Sequence, residues 1–343
     1  MKRLLNTLFV TTQGAYLSKN GDTVEVFAEH QSLLRVPIHT LGGIVCFGNV
    51  TASPFLMGLC GDNNVTVSFL TENGKFLARV HGRVNGNILL RKEQFRRSDC
   101  LKSSARIASA VVTAKIANSR VVLQRVLRDK PDHDFHADVN IAVGHLGGSI
   151  EQASKCMDLD EIRGIEGQAA DIYFSCFDHL ITTNKNDFSF CSRNRRPPLD
   201  NVNALLSFIY TLLVHDCQSA LEAVGLDPAA GFLHRDRPGR PSLALDLMEE
   251  FRGYLADRLV LSLINRQQVQ AKGFTKTESG AVMMDDETRK TVLVAWQQRK
   301  RDEITHPFLQ EKIDIGLLPH VQAMLMARFL RGELEGYPPF LWR

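Results

Sequence analysis

Two Asn-Gly pairs in the first third of the chain constrain its fold more than any other feature. Asn20-Gly21 separates AYLSK from TVEVF, and Asn73-Gly74 separates VTVSFL from KFLARV. Both residues of such a pair tolerate positive φ, so each pair between β-branched or alternating runs predicts a β-hairpin. Further strands are expected over residues 4–11, 33–37 and 43–47, and a short helix over 53–59. Residues 1–83 therefore predict a small, mostly antiparallel β domain.

The pattern changes at HGRVNGN, residues 81–87, whose glycines and asparagines are typical of a linker. Beyond it, apolar residues recur at helical spacing nearly to the end of the chain. Helices are expected over residues 101–128, 158–180, 200–224, 242–265, 286–301 and 316–331. The predicted fold class is α+β, with the β domain of residues 1–83 followed by a larger, all-α catalytic domain of residues 84–343.

Composition narrows the class of protein. The net charge of +3 permits an anionic partner without requiring one. The seven cysteines form no CxxC pair, which argues against zinc on cysteine and for reduced thiols in the cytoplasm. The opening MKRLL is followed too soon by polar Asn6 to be a signal peptide, and no stretch approaches the roughly 20 apolar residues that span a bilayer. We therefore expect a cytoplasmic protein with no membrane partner.

One segment, GFLHRDRPGRPSLALDLMEEF at residues 231–251, combines a histidine with a run of acids. His234 lies on an arginine- and proline-rich loop, and Asp246, Glu249 and Glu250 lie on the helix predicted to follow it. Residues three or four apart share a helix face, so the three carboxylates are neighbours. Their repulsion must be offset by a proton, by arginines or by another cation.

Two explanations of this acidic helix remain open on the residues alone. The carboxylates could form a salt-bridge network with Arg235, Arg237 and Arg240 of the preceding loop. Alternatively, carboxylate oxygens and the imidazole of His234 could hold a divalent ion, and this donor set suits Mg²⁺ or Mn²⁺. The arginines would then face phosphates rather than acids.

Two further segments could contribute to such a site. Glu166 lies in a predicted helix between Gly164 and Gly167, and each mid-helix glycine costs about 1 kcal/mol relative to alanine. Tight helix packing is the commoner reason for such small residues, and close approach of a ligand to the backbone is the other. In RNRRPPLDNVNALLSFIYTLL, residues 193–213, three arginines precede a helix start, which fits either a phosphate contact or a solvated loop.

The order and spacing of three segments resemble the signature of one family. IRGIEGQAA, RRPPLDNVNALLSFIYTLL and GFLHRDRPGRPSLALDLMEEFR are similar to CRISPR-associated protein one, the integrase and endonuclease that captures new spacers in prokaryotic adaptive immunity. The resemblance is close over about residues 150–255, and the β-then-α layout extends it over the whole chain. Among the types of this family, the residues of these motifs are most similar to the I-C type.

The resemblance implies a set of site residues. It places the catalytic metal ligands of the family at Glu166, His234 and Glu249. Asp246 occupies a neighbouring acidic position, and Asp246 and Glu250 are the second choices for the last ligand because family members vary there. The same resemblance implies no assignment of DNA-contacting residues.

The resemblance also implies an activity and partners. The family uses Mg²⁺ or Mn²⁺, and the 3′-hydroxyl of a captured double-stranded DNA fragment, the protospacer, attacks a phosphodiester of the CRISPR repeat. Members form homodimers and bind a small CRISPR-associated adaptation partner protein. Asn203 and Tyr210 match the motif and are expected to shape the helix beside the site. The competing hypotheses are a non-catalytic DNA-binding scaffold and a metal-dependent phosphodiesterase or RNase.

Overall fold

The β-to-α order of the chain is confirmed. A computed structural model describes residues 5–29, 31–72, 74–80, 82, 88–129, 134–195 and 197–342. Strands dominate before residue 82 and helices after residue 87. The predicted α+β fold class is therefore correct, and residue 83, the predicted domain boundary, lies outside the described residues.

The N-terminal part consists of two four-stranded sheets and one helix. The sheets have the strand orders β1-β5-β7-β8 and β4-β3-β2-β6. Their elements are β1 (Asn6–Val10), β2 (Tyr16–Asn20), β3 (Thr23–Ala28), β4 (Gln31–Pro37), β5 (Leu41–Phe47), β6 (Thr51–Ala52), α1 (Pro54–Asp62), β7 (Thr66–Leu70) and β8 (Phe76–Val80).

Both predicted hairpins are present. β2 and β3 pair antiparallel up to Asn20 and Thr23, and Gly21 between them has φ +58°. β7 and β8 also pair antiparallel, with Gly74 at φ +84° in the turn. Asn73 lies outside the described residues. Glycine adopts this left-handed backbone at little steric cost, as the Asn-Gly pattern requires.

The sheets are mixed rather than mostly antiparallel. β5 pairs parallel with both β1 and β7, and β2 pairs parallel with β6. Parallel neighbours need a crossover connection, and α1 supplies it between β5 and β7. Turn signals report only strands that follow each other directly, so the sequence predicted the hairpins and missed the parallel pairs.

The rest of the described chain is mainly helical. The helices are α2 (Ile88–Asp99), α3 (Leu101–Asp129), α4 (His136–Lys155), α5 (Leu159–Ser175), α6 (Asn201–Ala223), α7 (Ser242–Glu249), α8 (Arg258–Asn265), α9 (Asp286–Arg301) and α10 (Leu318–Leu330). A π-helical turn, Arg252–Asp257, separates α7 from α8 within the predicted helix 242–265. This part is not entirely α-helical, because it contains two short antiparallel hairpins, β9 (Phe274–Lys276) with β10 (Val282–Met284) and β11 (Glu303–Thr305) with β12 (Lys312–Asp314).

Two apolar clusters stabilise the molecule. One lies among the N-terminal strands and α1, around Leu17, Ile44 and Leu56. The other fills the helical part and also takes in Phe47 of β5, whose ring lies 5.8 Å from that of Phe208 on α6. By length and composition α6 could cross a membrane, but 67% of its apolar window is buried inside the protein, so it is a core helix here.

Candidate metal centre

The candidate site forms where α3, α5, α7 and the π-helical turn pack together. Two glycines permit the close approach of the chain segments. A Cβ on Gly253 of the turn would lie 3.3 Å from the backbone of Ser119 on α3. A Cβ on Gly231 would lie 2.7 Å from Cβ of Ser242 and 3.0 Å from the Asp246 carboxylate, so only glycine lets this loop rest on α7.

A lysine on the buried face of α3 lies at the centre of the site. Ile107, Val111, Lys115, Asn118 and Val122 recur at helical spacing, and all five are buried. Two polar side chains thus interrupt an otherwise apolar stripe. The side chain of Lys115 is only 10% exposed, and a buried ammonium must be paired.

The ammonium of Lys115 joins two of the three expected ligands. Its Nζ contacts Oε1 of Glu166 on α5 and lies 2.7 Å from Oε2 of Glu249 on α7. The Glu249 side chain is 5% exposed and that of Glu166 is 28% exposed. The structure therefore brings Glu166 and Glu249, which are far apart in the chain, to a single cation.

A second cation fixes Glu249. Nη1 of Arg252 donates to both carboxylate oxygens at 3.0 Å. Burial alone would raise the pKa of Glu249, but the charges of Arg252 and Lys115 outweigh the effect of burial, so the pKa lies well below its usual value. Glu249 is therefore an anion held by two cations.

Asp246 holds the histidine loop rather than facing the cation. Its two oxygens accept backbone N–H bonds from Phe232, Leu233 and His234 at 2.6, 3.0 and 3.0 Å. Oδ1 also lies 2.7 Å from Nδ1 of His234. In the tautomer that this contact favours, Nδ1 donates its proton to Asp246 and Nε2 keeps its lone pair for a ligand.

Glu250 is not brought to this group. Its carboxylate accepts hydrogen bonds from Tyr337, Gln322 and the Phe340 backbone N–H at 2.5, 2.9 and 2.7 Å. Burial raises its pKa to about 7. Glu250 thus anchors the segment that follows α10, and its contacts do not support its choice as an alternative ligand.

The family motif on α6 contributes Tyr210, which packs against Arg252 of the site. The guanidinium of Arg252 lies 4.4 Å from the ring centre of Tyr210, whose hydroxyl donates to Asp257 at 2.5 Å. Asn203 lies further off, where it accepts from Arg193 at 2.6 Å and orders the turn before α6. Tyr210 therefore borders the site, whereas Asn203 shapes the start of its helix. Arg196 of the arginine-rich segment lies outside the described residues.

Arg235 of the histidine loop does not pair with the acids of α7. Arg235 instead pairs with Asp160 of α5 at 2.8 Å. Tight helix packing does not explain the two glycines beside Glu166, because a Cβ on Gly164 or Gly167 would meet no heavy atom within 4 Å. The two glycines therefore lie where the surface of α5 is open rather than packed.

The donors fit a divalent cation, although another cation lies between them. No three His, Cys, Asp or Glu side chains in the described ranges converge as a metal-ligand group. The Lys115 ammonium lies between the Glu166 and Glu249 oxygens. Two carboxylates with one imidazole are donor types that suit Mg²⁺ or Mn²⁺.

The sequence analysis did not predict a role for Lys115 or Arg252 at the site, although a sequence pattern marks each of them. Lys115 is a charged residue on the apolar stripe of a helix, and Arg252 lies three residues after Glu249, the spacing of an intrahelical ion pair.

Two carboxylates gathered at the packing centre of helices that follow a β part, beside a histidine loop, fit the class of nucleases. The family comparison agrees, because the model of "CRISPR associated protein Cas1" matches residues 8–298. The chain belongs to the Cas1 family, and it is an endonuclease of that family.

Relatives with curated names match over their whole length. The chain is 56% identical to CRISPR-associated endonuclease Cas1 1 of Chlorobaculum tepidum over 343 residues, all of both chains. It is 50% identical to CRISPR-associated endonuclease Cas1 2 of Rhodospirillum rubrum, again over all of both chains.

Solved structures share the fold at lower identity. TM1797, a Cas1 protein from Thermotoga maritima, has a TM-score of 0.81 at 22% identity, over 98% of this chain and 100% of that one. A casposase bound to integration product has a TM-score of 0.82 at 22% identity, over 99% and 95%. A Cas6-RT-Cas1–Cas2 complex has a TM-score of 0.82 at 19% identity, over 98% of this chain and 36% of that one.

Proposed function

We propose that this protein is a metal-dependent DNA endonuclease and integrase that inserts new spacers into a CRISPR array during antiviral adaptation. The 3′-hydroxyl of a protospacer attacks a phosphodiester of the repeat. The observation that carries the proposal is the convergence of Glu166 and Glu249 on one cation, with His234 held against Asp246 of the same helix as Glu249. Membership of the Cas1 family supports the same reaction class.

Glu166, Glu249 and Nε2 of His234 would hold Mg²⁺ or Mn²⁺. When bound, the ion supplies charge stabilisation of the phosphoryl transition state and lowers the pKa of the attacking hydroxyl. The protein orients these donors in advance. Asp246 fixes the ring and tautomer of His234, and Arg252 fixes both oxygens of Glu249. Arg252 is itself supported by the ring of Tyr210.

The partial exposure of Glu166 gives the DNA a way to reach these donors. The Glu166 side chain is 28% exposed, so a phosphate can approach its carboxylate from solvent. The double-stranded DNA substrates, protospacer and repeat, carry a phosphate at every nucleotide. Contacts to those phosphates make binding dependent on salt.

The proposed assembly is a homodimer in the cytoplasm, joined by the small adaptation partner of the family. Exposed apolar side chains of the N-terminal part provide a surface for association, among them Leu33 and Leu34 on β4 and Phe55 on α1. We also propose a division of the chain near residue 83 into a β domain and a catalytic α-helical domain. The two apolar clusters support this division.

The test is strand transfer of a labelled duplex into a repeat-containing plasmid, with the adaptation partner and Mn²⁺ or Mg²⁺ supplied. Glu166→Gln and His234→Ala each remove one donor, and we expect both to lose at least about 100-fold in rate. Glu278→Gln is the matched control, because Glu278 is an exposed acid in the turn between β9 and β10, outside the ligand set. The control variant should keep the parent activity, and a chelator should abolish the activity of both proteins.

The salt bridges of Lys115 give the scaffold hypothesis a specific basis, because a permanent ion-pair network would look the same. Under that hypothesis the parent protein binds DNA with or without chelator and transfers no strand. Metal-dependent cleavage of an RNA of the same sequence, with the DNA left intact, would instead favour the RNase hypothesis.

A further inference from the structure

The four groups in direct contact at the metal-free site carry balanced charges. Glu166 and Glu249 carry two negative charges, and Lys115 and Arg252 carry two positive charges in direct contact with them. A divalent ion added to this set leaves a local excess of two positive charges. Such an excess is unfavourable at a buried position unless a cation leaves or an anion arrives.

The two cations differ in how firmly they are held. Arg252 is buried, binds both oxygens of Glu249 and rests on the Tyr210 ring. Lys115 has contacts to the two carboxylates only, as far as the described residues go, and its flexible four-carbon stem can move a point charge between partners. Lys115 is therefore the cation that can leave.

A metal ion bound by both carboxylates would overlap with the ammonium. The cavity beside it has a volume of about 10 Å³ and is lined by Lys115, Glu166, Ala170, Tyr173 and Arg252, among others. That volume admits about one water-sized sphere. The ammonium lies between the Glu166 and Glu249 oxygens that face each other.

We propose that Lys115 is a displaceable counter-ion which couples metal binding to DNA binding at this site. This inference rests on the proposed function. The ammonium leaves Glu166 and Glu249 when the divalent ion binds them, and it then pairs with a phosphate oxygen of the DNA. The protein without DNA thus binds the ion weakly. A phosphate strengthens that binding by receiving the released charge, and by linkage the ion strengthens DNA binding by the same factor.

The experiment measures Mn²⁺ binding directly, by the electron paramagnetic resonance signal of free Mn²⁺. Titrations use the full-length protein with and without a repeat duplex whose 3′ ends are dideoxy-terminated, so that no strand transfer occurs, and whose phosphates next to the insertion sites are replaced by phosphorothioates to slow cleavage. The test variant is Lys115→Met, which keeps an unbranched side chain of similar length and removes its charge. Lys300→Met is the matched control, because Lys300 forms a similarly buried pair with Asp216 outside the ligand set.

The parent protein should bind Mn²⁺ about tenfold more tightly with the duplex than without it, within the usual range of coupling between sites. Lys115→Met should bind Mn²⁺ about tenfold more tightly than the parent without DNA, and should gain little from the duplex. Lys300→Met should match the parent in both titrations.

Equal Mn²⁺ affinity of Lys115→Met and the parent without DNA would overturn the inference, as would an undiminished effect of the duplex on the variant. If Lys115→Met does not fold, the titrations of the parent protein alone test the inference, because a Mn²⁺ affinity of the parent that the duplex leaves unchanged also overturns the inference. Either result can coexist with metal-dependent strand transfer by the parent. Failure of the proposed function is distinct, since it would appear as no Mn²⁺ bound at any concentration and no strand transfer.

Discussion

Among single residues, Asp246 shows how one buried carboxylate can serve a site without touching its ligand. Three backbone N–H groups and the imidazole of His234 converge on its two oxygens. An acceptor with two charged oxygens matches this set of donors, whereas an amide presents one acceptor and one donor. The acid is therefore required for the position of His234.

Asp246→Asn should separate positioning from folding. The amide nitrogen would face backbone N–H donors, which costs about 1–3 kcal/mol of stability for the unsatisfied groups. Loss of the His234 partner should weaken Mn²⁺ binding by about 10–100-fold, the usual effect of removing such a support. Denaturant unfolding and a Mn²⁺ titration measure the two effects, and an unchanged Mn²⁺ affinity in a folded variant would contradict this role.

The candidate residues were predictable to different degrees. Glu166, His234 and Glu249 follow from the family resemblance, and the structure brings the two glutamates to one cation. The choice between Glu249 and Glu250 could not be made from spacing, because adjacent helix positions point about 100° apart and only the packing of neighbouring helices decides which side faces the site. That assignment remains a prediction until ligands are tested.

At the scale of elements, the segment after α10 is as much a part of the centre as the helices that line it. Asn118, one turn beyond Lys115 on α3, donates to the carbonyl oxygens of Glu250 and Phe340 at 2.7 and 2.9 Å. It accepts from the Trp342 backbone N–H at 2.8 Å. One buried amide thus ties α3, the end of α7 and the C-terminal segment together.

Asn118→Ala should release this tie. Three hydrogen bonds are lost and buried backbone groups are left without partners, so we expect a loss of about 3 kcal/mol in the free energy of unfolding. The segment after Leu330 should also become sensitive to limited proteolysis before the rest of the molecule unfolds. Asn201→Ala, which removes a single bond to the Asp187 carbonyl at a more exposed position, serves as control and should change little. Equal stability of the two variants would contradict the proposed tie.

Elements that the sequence did not predict have physical reasons for being missed. α4 contains Gly144, Gly147 and Gly148, residues that disfavour an isolated helix, and it forms because α3 and α5 pack against it. α2 directly follows the predicted linker and carries Arg96 and Arg97, which resemble a solvated basic run. The π-helical turn breaks the predicted helix 242–265 without any proline, since its cause is the packing around Arg252 rather than local propensity.

On the scale of the whole molecule, a buried arginine joins the β part to the helices. Arg79 of β8 contacts Nδ1 of His215 at 2.8 Å, Glu222 at 3.2 Å and Gln218 at 3.0 Å, all three on α6. Its Nε donates to Ser68 of β7 at 3.2 Å. This guanidinium thus helps to fix the sheet and α6 relative to each other. Hairpin and helix patterns in the sequence do not predict such a contact, because they describe only neighbouring segments of the chain.

This junction predicts an acid-sensitive stability. Burial, with the charge of Arg79 beside it, lowers the pKa of His215 from 6.5 to about 3. A group with a lowered pKa binds fewer protons in the folded state, so its contribution is complete above about pH 6.5 and is lost as the pH falls toward 3. Between pH 7 and pH 5 the loss should approach about 2 kcal/mol, at about 1.4 kcal/mol for each pH unit below the unfolded pKa.

His215→Gln should remove that dependence, because the glutamine amide oxygen can accept from Arg79 and does not titrate. Denaturant unfolding of parent and variant across this pH range gives the comparison, with the exposed His39→Gln as control. The stability difference between parent and His215→Gln should shift in favour of the variant as the pH falls, while His39→Gln follows the parent. A difference that stays constant with pH would mean that His215 remains accessible to protons in the folded protein, and that the sheet and α6 separate readily at this junction.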